Sequence, residues 1–555
     1  MSERRPKLGL DTGEMPVVGR IGEDLPKEVL SEKGWTAGRR NLTIFKSIVL
    51  AALMAITLYG MLNRGLFGAE RWLPVAAVIL GLLFVTLFVT DYFAGVPRAV
   101  WVLAGLLAAL VAIKGLSLTW SVSQTETVKE LLRSSMYLGA FALAAASLSS
   151  RRLVGPLIDW MNLIAGAVAG YGVLQKTSPL EYPSNTPDGV RVGSTLEYAN
   201  TVAMVVGMGF VLSLARMTQL KKPIVRGLYA ALILVFGTIL YFTFSRGGML
   251  SLLAGLAVIF AVGERRLQAL ANLLLVSLPL AWLVWESRGL STLSEFASDD
   301  GLRAAEGSTF RAYIVVAVVA AFLLQAGYAV LLGRYELPPA VRRALGAASI
   351  AVVLLGAGAL GLLVIEGQKS SDGGLSALSR KLAEPGENVS GGLTSLSSDV
   401  RFNYWKVAWD EWKKYPLTGT GAGTFQYTWQ KNRPDFSGVR QVHNTYLEQG
   451  TETGVFAFLA LAGFAVVLVA HLIRSSLYAA GERKILLASL TAGVVDYLIS
   501  SAFEWHWYIV PSTLFFFIMA GIATRYASGT DGEAVAGKVE PAAARGGKIP
   551  SREGA

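Results

Sequence analysis

Long apolar runs alternate with short polar breaks along most of the chain. The runs can be drawn at 43–62, 72–90, 98–117, 131–149, 153–174, 197–215, 228–244, 247–263, 267–286, 310–333, 344–366, 451–473, 484–502 and 508–525. Most are about 18 to 22 residues long, the length at which a helix crosses the hydrocarbon core of a bilayer. A soluble core would show shorter apolar segments with frequent polar punctuation. The pattern therefore predicts an all-α polytopic membrane protein of about 14 transmembrane helices.

The polar remainder sets the organisation. Residues 1–41 mix basic residues with prolines and glycines and have no apolar periodicity, so they read as a disordered cytoplasmic tail. Helices 1–11 fall within 42–366, a large polar loop within 367–450, helices 12–14 within 451–526, and a second disordered cytoplasmic tail at 527–555. Basic residues gather in alternate connections, at 150–152, 216–226, 264–266, 334–343 and 474–484. Lysine and arginine are retained on the cytoplasmic side of a membrane. With the N-terminus inside, eleven preceding helices put the large loop on the extracytoplasmic face of the cytoplasmic (inner) membrane.

Composition changes this picture little. The chain of 555 residues is 53% hydrophobic and 16% charged, and its net charge of +11 is carried largely by those connections rather than by a nucleic-acid-binding surface. It has no cysteine, which excludes disulfides and thiolate metal sites. Histidine is scarce: His443, His471 and His506. His471 falls near the cytoplasmic end of its helix.

Candidate chemistry lies in the polar breaks that this topology turns outward. Ser245-Arg246-Gly247-Gly248 interrupts almost continuous apolar sequence from Leu228 to Val262. An arginine there faces a polar cavity and binds an anion, or snorkels to the headgroups. Arg191 lies in an outer loop, and Arg311 begins the tenth run.

The large loop holds a helix start at Ser397-Ser398-Asp399, followed by Arg401 and an aromatic stripe of Phe402, Trp405, Trp409 and Trp412. Lys406, Asp410 and Lys413 lie opposite, a pattern suited to a helix in the membrane interface. Arg401, on the first turn, is placed to join backbone donors in holding a phosphate. Gly419, Gly421 and Gly423 form a turn and lack the Gly-Lys-Ser/Thr of a nucleotide-binding loop. His443, followed by Asn444, Tyr446, Glu448 and Glu452, is suited to accept a proton from a hydroxyl nucleophile, or to orient the loop by hydrogen bonds. No second histidine or carboxylate cluster at ligand spacing accompanies it, so no metal is expected.

Together these pieces resemble the bacterial O-antigen ligase and O-antigen polymerase family of membrane glycosyltransferases. The matching elements are Ser245-Arg246-Gly247-Gly248, Arg401 with Trp405, the 419–425 turn, His443-Asn444 with Tyr446-Leu447, and Glu452-Thr453-Gly454. Arg191 with Gly193-Ser194-Thr195 and Tyr198-Ala199-Asn200 adds a weaker match. The resemblance implies a fold of the lipid-linked-sugar glycosyltransferase type, with about 12 helices in many members. It further implies an undecaprenyl-diphosphate-linked glycan donor, a glycan, lipid or protein acceptor, and no metal or other cofactor. By the same resemblance Arg246, Arg401 and Arg191 hold the diphosphate and His443 is the base, with Asn444, Tyr446, Glu448 and Glu452 in support. A transporter or flippase of lipid-linked glycans is the competing class. It would show charged residues midway through several spans and broken helices in corresponding halves, whereas here the polar residues cluster at one face.

Overall fold

Inside a bilayer every backbone N–H and C=O must find its partner within the chain, so an apolar run that crosses folds as helix. The computed structural model describes residues 32–332, 399–434 and 437–529, and no strand occurs among them. The chain divides into two units, Met1–Phe45 and Lys46–Ala555. Of the first, the described part is the opening of a helix.

The helices in order are α1 (Glu32–Leu62), α2 (Ala69–Leu87), α3 (Arg98–Leu116), α4 (Gln124–Ser147), α5 (Val154–Thr177), α6 (Ala199–Gln219), α7 (Pro223–Phe242) and α8 (Arg246–Val262). They continue with α9 (Arg266–Ser287), α10 (Asp300–Leu332), α11 (Asp399–Lys414), α12 (Phe425–Asn432), α13 (Thr445–Tyr478), α14 (Gly481–Ser500) and α15 (Val510–Ala527).

Among the described residues ten helices are long and apolar enough to cross a membrane: α1, α2, α3, α5, α6, α7, α9, α10, α13 and α15. Three further helices coincide with expected runs but fall short. Helix α8 has 17 residues. Helix α4 carries Glu126, Lys129, Glu130 and Arg133, and α14 opens on Glu482-Arg483-Lys484 and keeps Asp496 inside. The expected run at 344–366 lies outside the described residues, as do 367–398 and the tail segments 1–31 and 530–555.

Several helices start earlier than the apolar pattern indicates: α1 at Glu32, α10 at Asp300 and α13 at Thr445. The reason is clearest at α13, whose polar first turns pair with protein. The Asn444 side chain caps the helix by accepting from the Tyr446 and Leu447 N–H groups at 3.1 and 3.0 Å, and Glu448 and Glu452 are buried.

Helix α6 is apolar on all sides and its most apolar stretch is wholly buried, packed by α5, α7, α8 and α14. Helix α15 is likewise almost enclosed, against α4, α13 and α14. Short connections make successive helices antiparallel, so one end of the bundle collects the starts of α6, α8, α13 and α15 with the ends of α5, α7 and α14. Hydrogen bonds cross this end: Thr445 N–H to the Ser501 carbonyl at 2.9 Å and Val192 N–H to the Phe242 carbonyl at 3.0 Å. The opposite end is basic, with Arg216 held by Asp159 at 2.6 Å, Lys221, Lys222 and Arg226 nearby in sequence, and Lys484 at 3.9 Å from Glu264.

Over the first end lies α11. Its buried side is Tyr404 and Ala408, packed with Phe425 and Trp429 of α12 and with Val442. Phe402 and Trp409 of the expected aromatic stripe are exposed on its other side.

The glycine turn docks this cap onto α13. Gly454 has φ 77° and ψ −177°, a conformation essentially reserved for glycine, and it kinks α13 so that Val455 N–H donates to the Pro416 carbonyl at 2.9 Å. A Cβ at Gly454 would overlap the Leu417 carbonyl. Gly454→Ala is therefore expected to destabilise the protein by about 3 kcal/mol, from backbone strain plus overlap. Thermal unfolding of the purified variant in detergent checks this, and an unchanged Tm contradicts it.

Candidate active site

The site begins at the junction of α7 and α8. Ser245 caps α8, its hydroxyl accepting from Gly248 N–H at 3.1 Å, and Arg246 follows as the first helical residue. Helix N-termini carry partial positive charge, and Arg246 adds a full one. The neighbouring loop is fixed by the Asp188 carboxylate, which accepts from Val190 N–H at 2.9 Å and Arg191 N–H at 2.8 Å. This directs Arg191 to the same junction, where its Nε donates to the Thr243 carbonyl at 2.7 Å and its Nη2 to Asn200 Oδ1 at 2.6 Å. The charges of Arg401 and Arg191 both bear on Arg246. Three arginines separated in sequence thus form one cationic cluster.

At the centre of the surrounding network stands Glu504, in the connection between α14 and α15 and 2% exposed. Its Oε1 accepts from Asn200 Nδ2 at 2.7 Å and pairs with Arg401, while Oε2 accepts from the Tyr198 hydroxyl and lies 3.5 Å from His443 Nδ1. Burial alone would favour the neutral acid. The Arg401 charge and the adjacent His443 outweigh it and hold the Glu504 carboxyl at about 2. The reverse holds for Tyr198, whose phenol is pushed well above its usual range by burial and by Glu504.

His443 sits on a left-handed backbone with φ 57°, just before the Asn444 cap. Such a conformation is strained for a side-chain-bearing residue and persists where the surroundings impose it. Here Trp405 Nε1 donates to the His443 carbonyl at 3.4 Å, and the Tyr404 and Trp505 rings lie 5.4 and 6.2 Å from the imidazole. The Arg401 side chain is 34% exposed, so it is not closed off by the Glu504 contact.

The structure thus brings Arg191, Arg246, Arg401 and His443 together. It assigns other work to the accompanying residues. Asn444 caps α13, and the Tyr446 hydroxyl donates to the Leu498 carbonyl at 3.1 Å. Glu448 accepts from Val442 N–H at 2.8 Å and from the Tyr508 hydroxyl at 2.6 Å. Glu452 accepts from Gly423 N–H at 2.7 Å and Phe425 N–H at 3.0 Å, which occupies the donors of the glycine turn with a carboxylate of the protein itself. Arg311 stands within α10, bonded to the Thr177 carbonyl at 2.9 Å, and His471 bonds Ser528 at 3.1 Å near the other end of α13. No group of three or more potential metal ligands occurs among the described residues.

Glu504, with its neighbours Trp505 and His506, is the functional group that the sequence reading missed. Its signal was an acid and a histidine in the short gap between the last two apolar runs. His506 is fully buried, bonded to Thr201 at 2.8 Å and Ser500 at 2.7 Å, and burial lowers it from 6.5 to about 4, against the pull of Glu504.

Because the folded protein keeps His506 neutral, its contribution to stability is complete above pH 6.5. That contribution is lost as pH falls towards 4, where the unfolded chain binds the proton first. The expected loss across this window is about 3 kcal/mol. Thermal unfolding followed from pH 7 to 4 checks it: the pH slope should flatten in His506→Gln, and an identical slope contradicts the assignment.

No curated protein matches the chain. Residues 229–462 match the family model described as O-antigen ligase, a span that runs from α7 through Arg246, Arg401 and His443 into α13. The match supports an O-antigen ligase domain over this part of the chain.

Proposed function

We propose that the protein transfers a glycan from an undecaprenyl-diphosphate-linked donor to an acceptor hydroxyl, as a ligase-type membrane glycosyltransferase that needs no metal. The observation that carries this reading is the convergence of His443 and Arg401 on the buried Glu504 carboxylate, beside the cationic cluster of Arg246 and Arg191. A sugar–diphosphate bond and an incoming hydroxyl require two things at one place: positive charge for the leaving group and a base for the nucleophile.

The groups divide the chemistry accordingly. The Glu504 carboxylate lies 3.5 Å from Nδ1 of His443, on one side of the ring, which leaves Nε2 as the base. His443 takes the acceptor hydroxyl proton as the oxygen attacks the anomeric carbon. The bond from that carbon to the phosphate oxygen breaks, and the electron pair leaves with undecaprenyl diphosphate. Guanidinium groups suit such an oxyanion because they bind phosphate oxygens in pairs and keep their charge in a water-poor site. Arg246, Arg401 and Arg191 fill this role, with the α8 N-terminus adding its dipole.

Orientation follows the same reading. The basic connections 216–226, 264–266 and 474–484 belong to the opposite end of the bundle, which supports placing that end in the cytoplasm and the site at the extracytoplasmic face of the inner membrane. The segment 399–450 is then the described part of the extracytoplasmic catalytic loop, and the tails are cytoplasmic.

The test is reconstitution of the full chain in vesicles with a defined lipid-diphosphate glycan and candidate acceptors, with products read by mass. A new conjugate is expected, whereas extension of the glycan itself identifies a polymerase, and movement without bond formation contradicts transfer. His443→Ala is expected to lower the rate by about 10²- to 10⁴-fold, the usual contribution of a general base. Arg246→Ala and Arg401→Ala are expected to raise the donor KM. Wild-type transfer by His443→Ala, or unchanged donor KM in both arginine variants, overturns these roles.

A further inference from the structure

A second polar recess lies beside the start of α2, the first turns of α4, the glycine turn and the segment leading into His443. It encloses about 120 Å³, and the transfer chemistry above uses none of its walls. One wall is Arg133 of α4, 7% exposed, paired with Glu130 and lying 4.7 Å from the ring centroids of both Trp72 and Tyr508. Glu130 is held in turn by Lys114 at 3.3 Å and by Trp507 Nε1 at 3.1 Å. The Nε of Arg133 has no acceptor among the described residues. Burying such a cluster in a membrane bundle is costly, and ionisable groups kept there mark the path of a polar ligand.

The recess is tied to the base. Gln441, on its wall, precedes His443 by one intervening residue, Val442. Val442 N–H donates to Glu448 at 2.8 Å, and the other Glu448 oxygen accepts at 2.6 Å from Tyr508, which also lines the recess.

Its chemistry selects among ligands. Arg440 donates, Glu126 accepts, and the amides of Gln426 and Gln441 do both, around the exposed ring of Phe67. Both acids are paired, Glu126 with Lys129 at 2.7 Å and Glu130 with Arg133, so the recess presents mixed donors and acceptors rather than bare charge, and a lipid tail would leave Arg440 and the two amides unpaired. A pyranose matches, with hydroxyls that donate and accept and a C–H face for the aromatic ring.

We propose that this recess is a saccharide-binding subsite that leads a sugar towards His443. The binding stands on the recess itself, and the direction of delivery rests on the transferase reading. The sugar comes either from the donor glycan or from the acceptor, which share this chemistry.

The test is saturation-transfer NMR on the full chain in detergent. One probe is the oligosaccharide released by mild acid from the lipid-linked glycan pool of cells expressing the protein. The other is the oligosaccharide released from the envelope glycolipid of the same cells. Signal transfer to at least one probe is expected, weakened at least tenfold in affinity in Arg440→Glu and in Gln426→Ala, and retained in His443→Ala. The probe that binds identifies the source. Absence of binding to wild type, or binding unaltered in both recess variants, overturns the subsite. Loss of transfer in the reconstituted system with binding intact would instead count against the transferase reading alone.

Discussion

One buried carboxylate constrains this end of the molecule. Glu504 is almost wholly excluded from solvent yet ionised, which a low-dielectric interior permits only with close positive charge and hydrogen bonds. The fold supplies them from separate segments: Arg401 from α11, Asn200 from the start of α6 and Tyr198 just before it, with His443 from the loop before α13 lying 3.5 Å away. Asn200 gives its other side-chain atom to Arg191. The chain that holds the acid therefore also aims an arginine at the α7–α8 junction.

A second acid pair fixes the loop around this centre. Glu452 ties the glycine turn to α13, and Glu448 ties the backbone next to His443 to Tyr508. These two carboxylates are spaced one helical turn apart, and the resemblance gave them only a supporting place beside the histidine. Their acceptors are instead filled by backbone donors and a phenol, so their work is to hold the left-handed His443 in position. Preorganisation of this kind is what lets a base and a charge cluster act without rearranging during the reaction.

How much was legible depended on contrast with the surrounding sequence. Arg246 stood out because a charge between apolar runs is expensive, and His443 because the chain has so few histidines. The polar first turn of α13 and the charges of α4 blurred the apolar periodicity, since their pairing partners come from distant segments such as α3 and the 508 region. Glu504 was hard to read for the same reason. An acid in a short connection looks like an ordinary solvated loop residue until the fold closes Arg401 over it. Arg311 shows the converse, a conspicuous arginine that the fold uses to tie α10 to the end of α5.

In the proposed mechanism the carboxylate of Glu504 is the element through which base and leaving-group charge are coordinated. The most direct measurement is the transfer rate of Glu504→Gln, normalised to folded protein, in vesicles with lipid-diphosphate glycan. The amide keeps the size of the side chain but removes the charge facing His443 and Arg401. The account predicts a fall of about 100-fold or more, within the range of a lost base or its orienting partner. Transfer at the wild-type rate would contradict it.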